Sequence, residues 1–182
     1  MPPPRVYITG LMGSGKSTAG PLVASRLGYR FLDLDAEVER AAGVTISELF
    51  RRRGEHVFRA LETAVLSEAS SQDRVVVATG GGALVSEGNL LVAESSGTIV
   101  YLKLTPGTLA LRLGGADGRP LLHDTDGTPL STGAIRERLT ELLDKRTRFY
   151  EHADVTVDAE DLSPDEVAEA IIRALPVNVA RA

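Results

Sequence analysis

Residues 10–17, Gly10-Leu11-Met12-Gly13-Ser14-Gly15-Lys16-Ser17, satisfy G-x-x-x-x-G-K-[ST] without a mismatch, and Thr18 follows directly. Glycines at 10, 13 and 15 let successive backbone N–H groups turn inward on one anion, in conformations that a Cβ forbids. Gly13, Ser14, Gly15 and Thr18 would then surround a nucleotide's phosphates. Lys16 supplies a point charge for the outer phosphates, and the Ser17 hydroxyl a ligand for Mg²⁺. A Gly-rich turn with no ligand is the plainer alternative, and the flanks decide against it. Residues 5–9 read as a buried strand. Leu22, Val23 and Leu27 then recur at helical spacing, and Gly28 closes that segment. Strand, glycine loop and helix N-terminus together make a phosphate site.

Such a loop does not name the acceptor of a phosphoryl group, so acceptor residues are sought at the other strand ends. Asp33 and Asp35 end the apolar stretch 29–35. In extended geometry they share a face, at the strand end where open α/β sheets bind ligands. One carboxylate suits the Mg²⁺ shell, and the other can accept a hydrogen bond from an acceptor hydroxyl aligned with the γ-phosphoryl group. Alternatively they cap a helix starting at Ala36, which uses Asp35 but leaves its neighbour unexplained. Arg59 and Glu62, three apart on a helix, by themselves read as an ion pair worth about a few tenths of a kcal/mol. Gly80-Gly81-Gly82 follows a strand. Three glycines cost backbone entropy, and the usual return is close approach of backbone to ligand.

Arg112, Arg119, Arg136, Arg138, Arg146 and Arg148 lie in or beside one long polar segment. Arg119 stands in a glycine-rich stretch where no helix face demands it, so a cation there can close over the transferring group. His56, His123 and His152 lack metal-site spacing and read as surface residues. The run 51–53, three arginines, reads as a solvated helix end.

These residues need a scaffold. Five apolar runs, at 5–9, 29–35, 74–79, 98–104 and 153–158, alternate with helical patterns, which predicts one domain built on a five-stranded parallel sheet in a three-layer α/β/α arrangement. Helices are expected at 17–27, from Ala36, from Thr45 (a capping-box N-cap) through Phe50, and over 55–69. Further helices are expected from Ser86 to Ala93, from Thr105-Pro106, over 134–150 and from Ser163-Pro164. Residues 34–62 would carry the acceptor site, and the polar stretch 114–133 a lid.

The 182 residues carry a net charge of −5, 43 % apolar and 25 % charged residues and no cysteine. That balance fits a globular protein and argues against a nucleic-acid-binding face, a disulfide framework and a thiolate metal site. No run reaches the roughly 20 apolar residues of a membrane helix, and the first residues lack the apolar core of a signal peptide. The expectation is a cytosolic monomer without nucleic-acid or membrane partners.

The ordered set G-L-M-G-S-G-K-S-T at 10–18, F-L-D-L-D at 31–35, I-S-E-L-F at 46–50 and G-E-x-x-F-R-x-L-E at 54–62 continues with G-G-G-A at 80–83, R-P-L-L at 119–122 and R-x-x-x-Y at 146–150. In this the chain resembles the shikimate kinase family over nearly its whole length. The resemblance implies a P-loop kinase fold, ATP as co-substrate, Mg²⁺, and phosphorylation of the shikimate 3-hydroxyl on the route to chorismate and the aromatic amino acids. It further implies that Lys16 and Arg119 contact the transferred phosphate, that Ser17 and Asp33 serve Mg²⁺, and that Asp35 engages the acceptor hydroxyl. Arg59 and Arg146 would clamp the substrate carboxylate, with Glu62 orienting Arg59 and Gly80, Gly81 and Gly82 lining the site. Met12, Phe50, Phe58 and Pro120 match apolar pocket positions, and Arg112 and the loop before Pro164 match the adenine region. Two departures stand out. Residues 123–129 look like extra sequence in the lid, and the adenine loop at 161–164 lacks an arginine common in relatives. Gluconate kinases, nucleoside monophosphate kinases and non-catalytic nucleotide-binding modules are the competing readings. The absence of an N-K-x-D motif counts against a GTPase switch.

Overall fold

In a computed structural model, which describes residues 3–114, 128 and 130–176, the five apolar runs become strands of one sheet. These are β1 (Arg5–Thr9), β2 (Arg30–Asp33), β3 (Val75–Ala78), β4 (Thr98–Lys103) and β5 (Val155–Asp158), all paired in parallel in the order β2–β3–β1–β4–β5. The register brings three strand ends level: Ile8 and Asp33 both partner Ala78, and Thr9 partners Tyr101. The chain leaves β1 for β2 on one side, and later steps over β1 from β3 to β4. The C-terminal end of β1 is therefore the switch point of the sheet, where open α/β folds bind ligands.

Eight α-helices are described: α1 (Lys16–Leu27), α2 (Leu34–Ala42), α3 (Ile46–Arg53), α4 (Glu55–Ser70), α5 (Glu87–Ser96), α6 (Pro106–Leu113), α7 (Thr132–Tyr150) and α8 (Pro164–Ala174). Buried strands are apolar on both faces because helices cover both. Val6, Ile8, Val76, Val100 and Leu102 pack with Val23 of α1, Leu109 of α6, Leu139 of α7 and Ile171 of α8. Tyr7, Val77 and Ile99 pack with Leu66 of α4 and Leu90 of α5. A smaller cluster, Val38, Leu49 and Phe58, joins α2, α3 and α4.

The expected three-layer α/β/α architecture is the observed one, with differences at element ends. The helix expected from Ala36 starts at Leu34, because Asp33 rather than Asp35 caps it: its Oδ1 accepts from the N–H groups of Asp35 (3.1 Å) and Ala36 (3.4 Å). The helix expected to stop at Phe50 runs to Arg53, with Thr45 capping through the Glu48 N–H. Only half of the expected capping box forms, since Glu48 pairs with Arg51 and Arg52. Ser86 stands at the N-cap of α5 but makes no side-chain cap bond. A 3₁₀ turn, Ala83–Val85, follows the triple glycine and has no periodic signal in so short a run. Of the expected lid, Gly114 is the C-cap of α6 and Thr132 and Gly133 belong to α7, while residues 115–127 and 129 lie outside the described residues. Among the described residues, no helix is long and apolar enough to cross a membrane.

Candidate active site

The loop from Gly10 to Gly15 joins β1 to α1, and its three glycines have φ values of 143°, 80° and 94°. At Gly10 a Cβ would also stand 2.7 Å from the Leu102 carbonyl oxygen, so both conformation and the neighbouring strand require glycine there. The loop's inner lysine is only 9 % exposed. Lys16 Nζ donates to the carbonyls of Gly10 and Leu11, both at 2.9 Å, and to Ser14 Oγ at 3.3 Å, so its charge lies across the loop's own concavity. Gly15 caps α1 without a side-chain bond. The first-turn N–H groups of a helix have no partner within it, which makes this end suited to an anion.

Ser17, in the first turn of α1, reaches β2. Its hydroxyl donates to Asp33 Oδ2 at 2.6 Å. Asp33 thus uses one oxygen on Ser17 and the other to cap α2, which fixes the backbone that carries Asp35. Contrary to expectation, Asp33 and Asp35 do not share a strand face. β2 ends at Asp33, and Asp35 lies in the first turn of α2. What places Asp35 beside Asp33 is a helix start, because Asp33's cap bonds end the extended geometry at Asp33 itself, two residues before the apolar stretch ends.

The triple glycine is where distant elements meet. A Cβ on Gly80 would stand 2.6 Å from Asp35 Oδ1 and 3.1 Å from Glu62 Oε1. One on Gly81 would stand 3.5 Å from Arg146 Nη1, from the Gly10 carbonyl oxygen and from the Met12 nitrogen. One on Gly82 would stand 3.2 Å from both Nη atoms of Arg59 and 3.5 Å from Arg146 Nη2. None of the three has positive φ. Their requirement is proximity: each lets a different charged side chain lie against the backbone.

Arg59 and Arg146 reach this strip from α4 and α7. Arg146 Nη1 donates to the Gly81 carbonyl at 2.9 Å, and the Tyr150 hydroxyl donates to the same oxygen at 2.9 Å. Tyr150 is buried and stacks on Tyr101 with ring centroids 4.6 Å apart. Burial raises the Tyr150 phenol, opposed by Arg146, and pushes that of Tyr101 up to about 12, so both remain neutral hydrogen-bonding groups at physiological pH. Arg59 donates through Nη1 to Glu62 Oε2 at 2.7 Å, and through Nε and Nη2 to Glu55 Oε1, both at 3.2 Å. The Arg59–Glu62 pair expected from spacing is present, but Glu62 is 1 % exposed, which makes it a buried anchor. Burial raises the Glu62 carboxyl, the Arg59 bond and charge pull it back, and the charge of Asp35 raises it further. For Arg59, burial works against the charge but its two glutamates outweigh that, and its pKa is raised. A cation is held firmly here.

Three residues of this arrangement have no role assigned by the sequence. Glu55, although it stands in the matched stretch 54–62, is one. Asn89 is another, buried on α5, whose amide donates to the Ala83 carbonyl at 2.9 Å and pins the turn after the glycines. Gly20 of α1 is the third: a Cβ there would collide with the Phe31 ring, so α1 can pack on β2 only as glycine. Among the expected pocket residues, Met12 packs partly buried against the larger core, and Phe50 contacts Phe58 with centroids 4.9 Å apart. Arg112 lies exposed in the last turn of α6, and its charge acts on Glu160 in the loop leading to Pro164, the first residue of α8. Arg119, Pro120 and His123 lie outside the described residues. His56 is exposed, and the His152 ring pairs with Glu94 at 2.9 Å.

Comparison with known proteins supplies the remaining link. The family described as shikimate kinase matches residues 12–176. The chain is 40 % identical over 177 residues to the shikimate kinase of Chlorobaculum tepidum, covering 97 % of this chain and 93 % of that one. Among solved structures, a shikimate kinase from Acinetobacter baumannii in complex with shikimate superposes with a TM-score of 0.85 at 35 % identity, covering 93 % of this chain and 91 % of the other. A gluconokinase from Sinorhizobium meliloti, at 20 % identity and a TM-score of 0.58 over 94 % of this chain and 90 % of its own, shares the fold alone. A phosphate loop facing two aspartates, a triple glycine and two arginines, on a sheet that matches these relatives along nearly its full length, makes the chain a member of the shikimate kinase family.

Proposed function

We propose that the protein transfers the γ-phosphoryl group of ATP to the 3-hydroxyl of shikimate, with the substrate lying along the Gly80–Gly82 strip opposite Lys16. Arg59, Arg146 and Asp35 all contact that one strip, and this convergence carries the reading. Two guanidinium groups suit a carboxylate, which they can hold through paired N–H donors. Asp35, set against Gly80 at the far end, accepts the hydrogen bond of a hydroxyl and directs its oxygen toward the phosphate loop. Holding acceptor and donor in line is most of what phosphoryl transfer asks of a protein, since the reacting groups bring their own covalent chemistry.

The loop N–H groups and Lys16 would receive the phosphates, and Thr18 and Arg119 would add contacts there. Arg112 and Pro164 would flank the base. Ser17 Oγ and Asp33 Oδ2, 2.6 Å apart, form a pair of hard oxygen donors of the type Mg²⁺ prefers. When bound, that ion would neutralise developing charge on the phosphate oxygens. As charge builds on the transferred group, Lys16 exchanges its carbonyl partners for phosphate oxygens, which makes its interaction stronger in the transition state than before it.

A coupled ADP-release assay with shikimate, gluconate and nucleoside monophosphates tests this. Turnover with shikimate should exceed that with the other acceptors by orders of magnitude. Equal low rates with every acceptor would overturn the assignment in favour of a nucleotide-binding module.

A further inference from the structure

We propose that Glu55 is a built-in competitor for the carboxylate of the substrate at Arg59. The inference rests on the reading that Arg59 receives that carboxylate. A guanidinium offers five N–H donors, and bidentate recognition uses two that are parallel. In Arg59 the Nε–Nη2 edge, one such pair, is taken by a single oxygen of Glu55, at 3.2 Å from each nitrogen. The Nη1–Nη2 end lies against Gly82, where a Cβ would be 3.2 Å from both, and Nη1 also donates to Glu62. A carboxylate that takes the parallel Nε–Nη2 pair must therefore displace Glu55.

The two glutamates are not equivalent. Glu62 is buried and bonded at 2.7 Å, so removing it from Arg59 would leave a buried charge unpaired. The Glu55 side chain is 64 % exposed, and its longer contacts converge on one oxygen. Glu55 is also the first residue of α4. Once released it stays in the first helical turn, where unpaired N–H groups favour a negative charge. Exchange of Glu55 for an incoming acid is thus cheap, whereas exchange of Glu62 is not. The carboxylate that holds Arg59 extended toward the site also sets a threshold that only another carboxylate gains by crossing.

The test compares the parent protein with Glu55→Gln, using calorimetric titration with shikimate and with its methyl ester, which carries no charge on that group. An exposed ion pair shifts an equilibrium about two- to fivefold. Glu55→Gln should therefore bind shikimate about two- to fivefold more tightly, with no matching gain for the ester. Equal or weaker shikimate binding, or the same gain for acid and ester, would overturn the proposal. Glu55→Ser, which retains a polar helix start, guards against a local effect of the glutamine amide and should show the same gain. In an Arg59→Ala background the Glu55→Gln gain should vanish. Unchanged shikimate affinity in Arg59→Ala alone would instead overturn the assignment of Arg59 on which the proposal stands.

Discussion

Gly80→Ala is the sharpest single perturbation of the site. A Cβ built there lies 2.6 Å from Asp35 Oδ1, where ordinary contacts begin at 3.4 Å, so 3.4 minus 2.6 leaves 0.8 Å to be found. Glu62, whose Oε1 would be 3.1 Å from the same atom, cannot give way, because it is buried and bonded to Arg59. Asp35 is exposed and must move instead, its carboxylate shifting by most of that distance from the acceptor position. A misplacement near 1 Å in a positioned group costs on the order of 10²-fold in rate, so kcat should fall roughly 10- to 100-fold. Gly80 has no positive φ, and a compatible Gly→Ala change stabilises by about 0.4–1 kcal/mol through the unfolded chain. The melting temperature should therefore stay within a few degrees of the parent. Gly97→Ala is the matched control. Its Cβ would meet the Arg5 carbonyl oxygen at 2.7 Å and the Tyr7 ring at 2.8 Å, just before β4 and beside the start of β1, at the end of the sheet opposite the strand ends that carry the site. That variant should lose about 1–3 kcal/mol of stability yet keep its kcat per folded molecule. The measurement is ADP release at saturating shikimate and ATP, paired with thermal melts. A folded Gly80→Ala enzyme with kcat within twofold of the parent would refute the placement of Asp35 against the acceptor.

Lys16→Ala should lower kcat by about 10²–10³-fold with little change in shikimate affinity, because its charge acts mainly on the transferring group; loss of affinity at constant kcat would contradict that. Asp33→Asn keeps a good helix cap but removes the charge that accepts the Ser17 hydroxyl, so stability should hold while the Mg²⁺ concentration for half-maximal rate rises. An unchanged Mg²⁺ dependence would remove Asp33 from the metal's surroundings. Glu62 titrates higher folded than unfolded, so the stability linked to it is fully present below the ordinary carboxylate range and is lost as pH rises through its folded pKa. Glu62→Gln should flatten that descent in urea unfolding followed across the acid range, and should weaken shikimate binding through Arg59. An unaltered pH profile would show that the buried carboxyl is not the titrating group.

The phosphate loop, the five strands and the helix pattern between them are legible in the order of residues alone. Those features are local: glycine spacing sets which backbone conformations are open, and apolar periodicity sets which face a segment buries. From them, and from the family resemblance, came Lys16, Ser17 and the parallel sheet. Local patterning misjudged the aspartate pair, because alternation predicts a shared face only while the chain stays extended. The cap bonds of Asp33 turn the chain into α2 two residues earlier than the strand pattern implies, at Leu34 rather than Ala36. What the polar residues do together depends on contacts between segments distant in the chain. Arg146 and the Gly81 carbonyl it binds are 65 positions apart, and Tyr150, which shares that oxygen, is 69 away. No periodicity spans such a gap. It is closed by the packing of α7 against the rest of the domain. Spacing alone made Arg59 and Glu62 an ordinary surface pair of little energy. Burial of Glu62 turns that pair into a fixed mount for a cation, and the exposed Glu55 on the opposite edge of the same guanidinium gives that cation something to exchange.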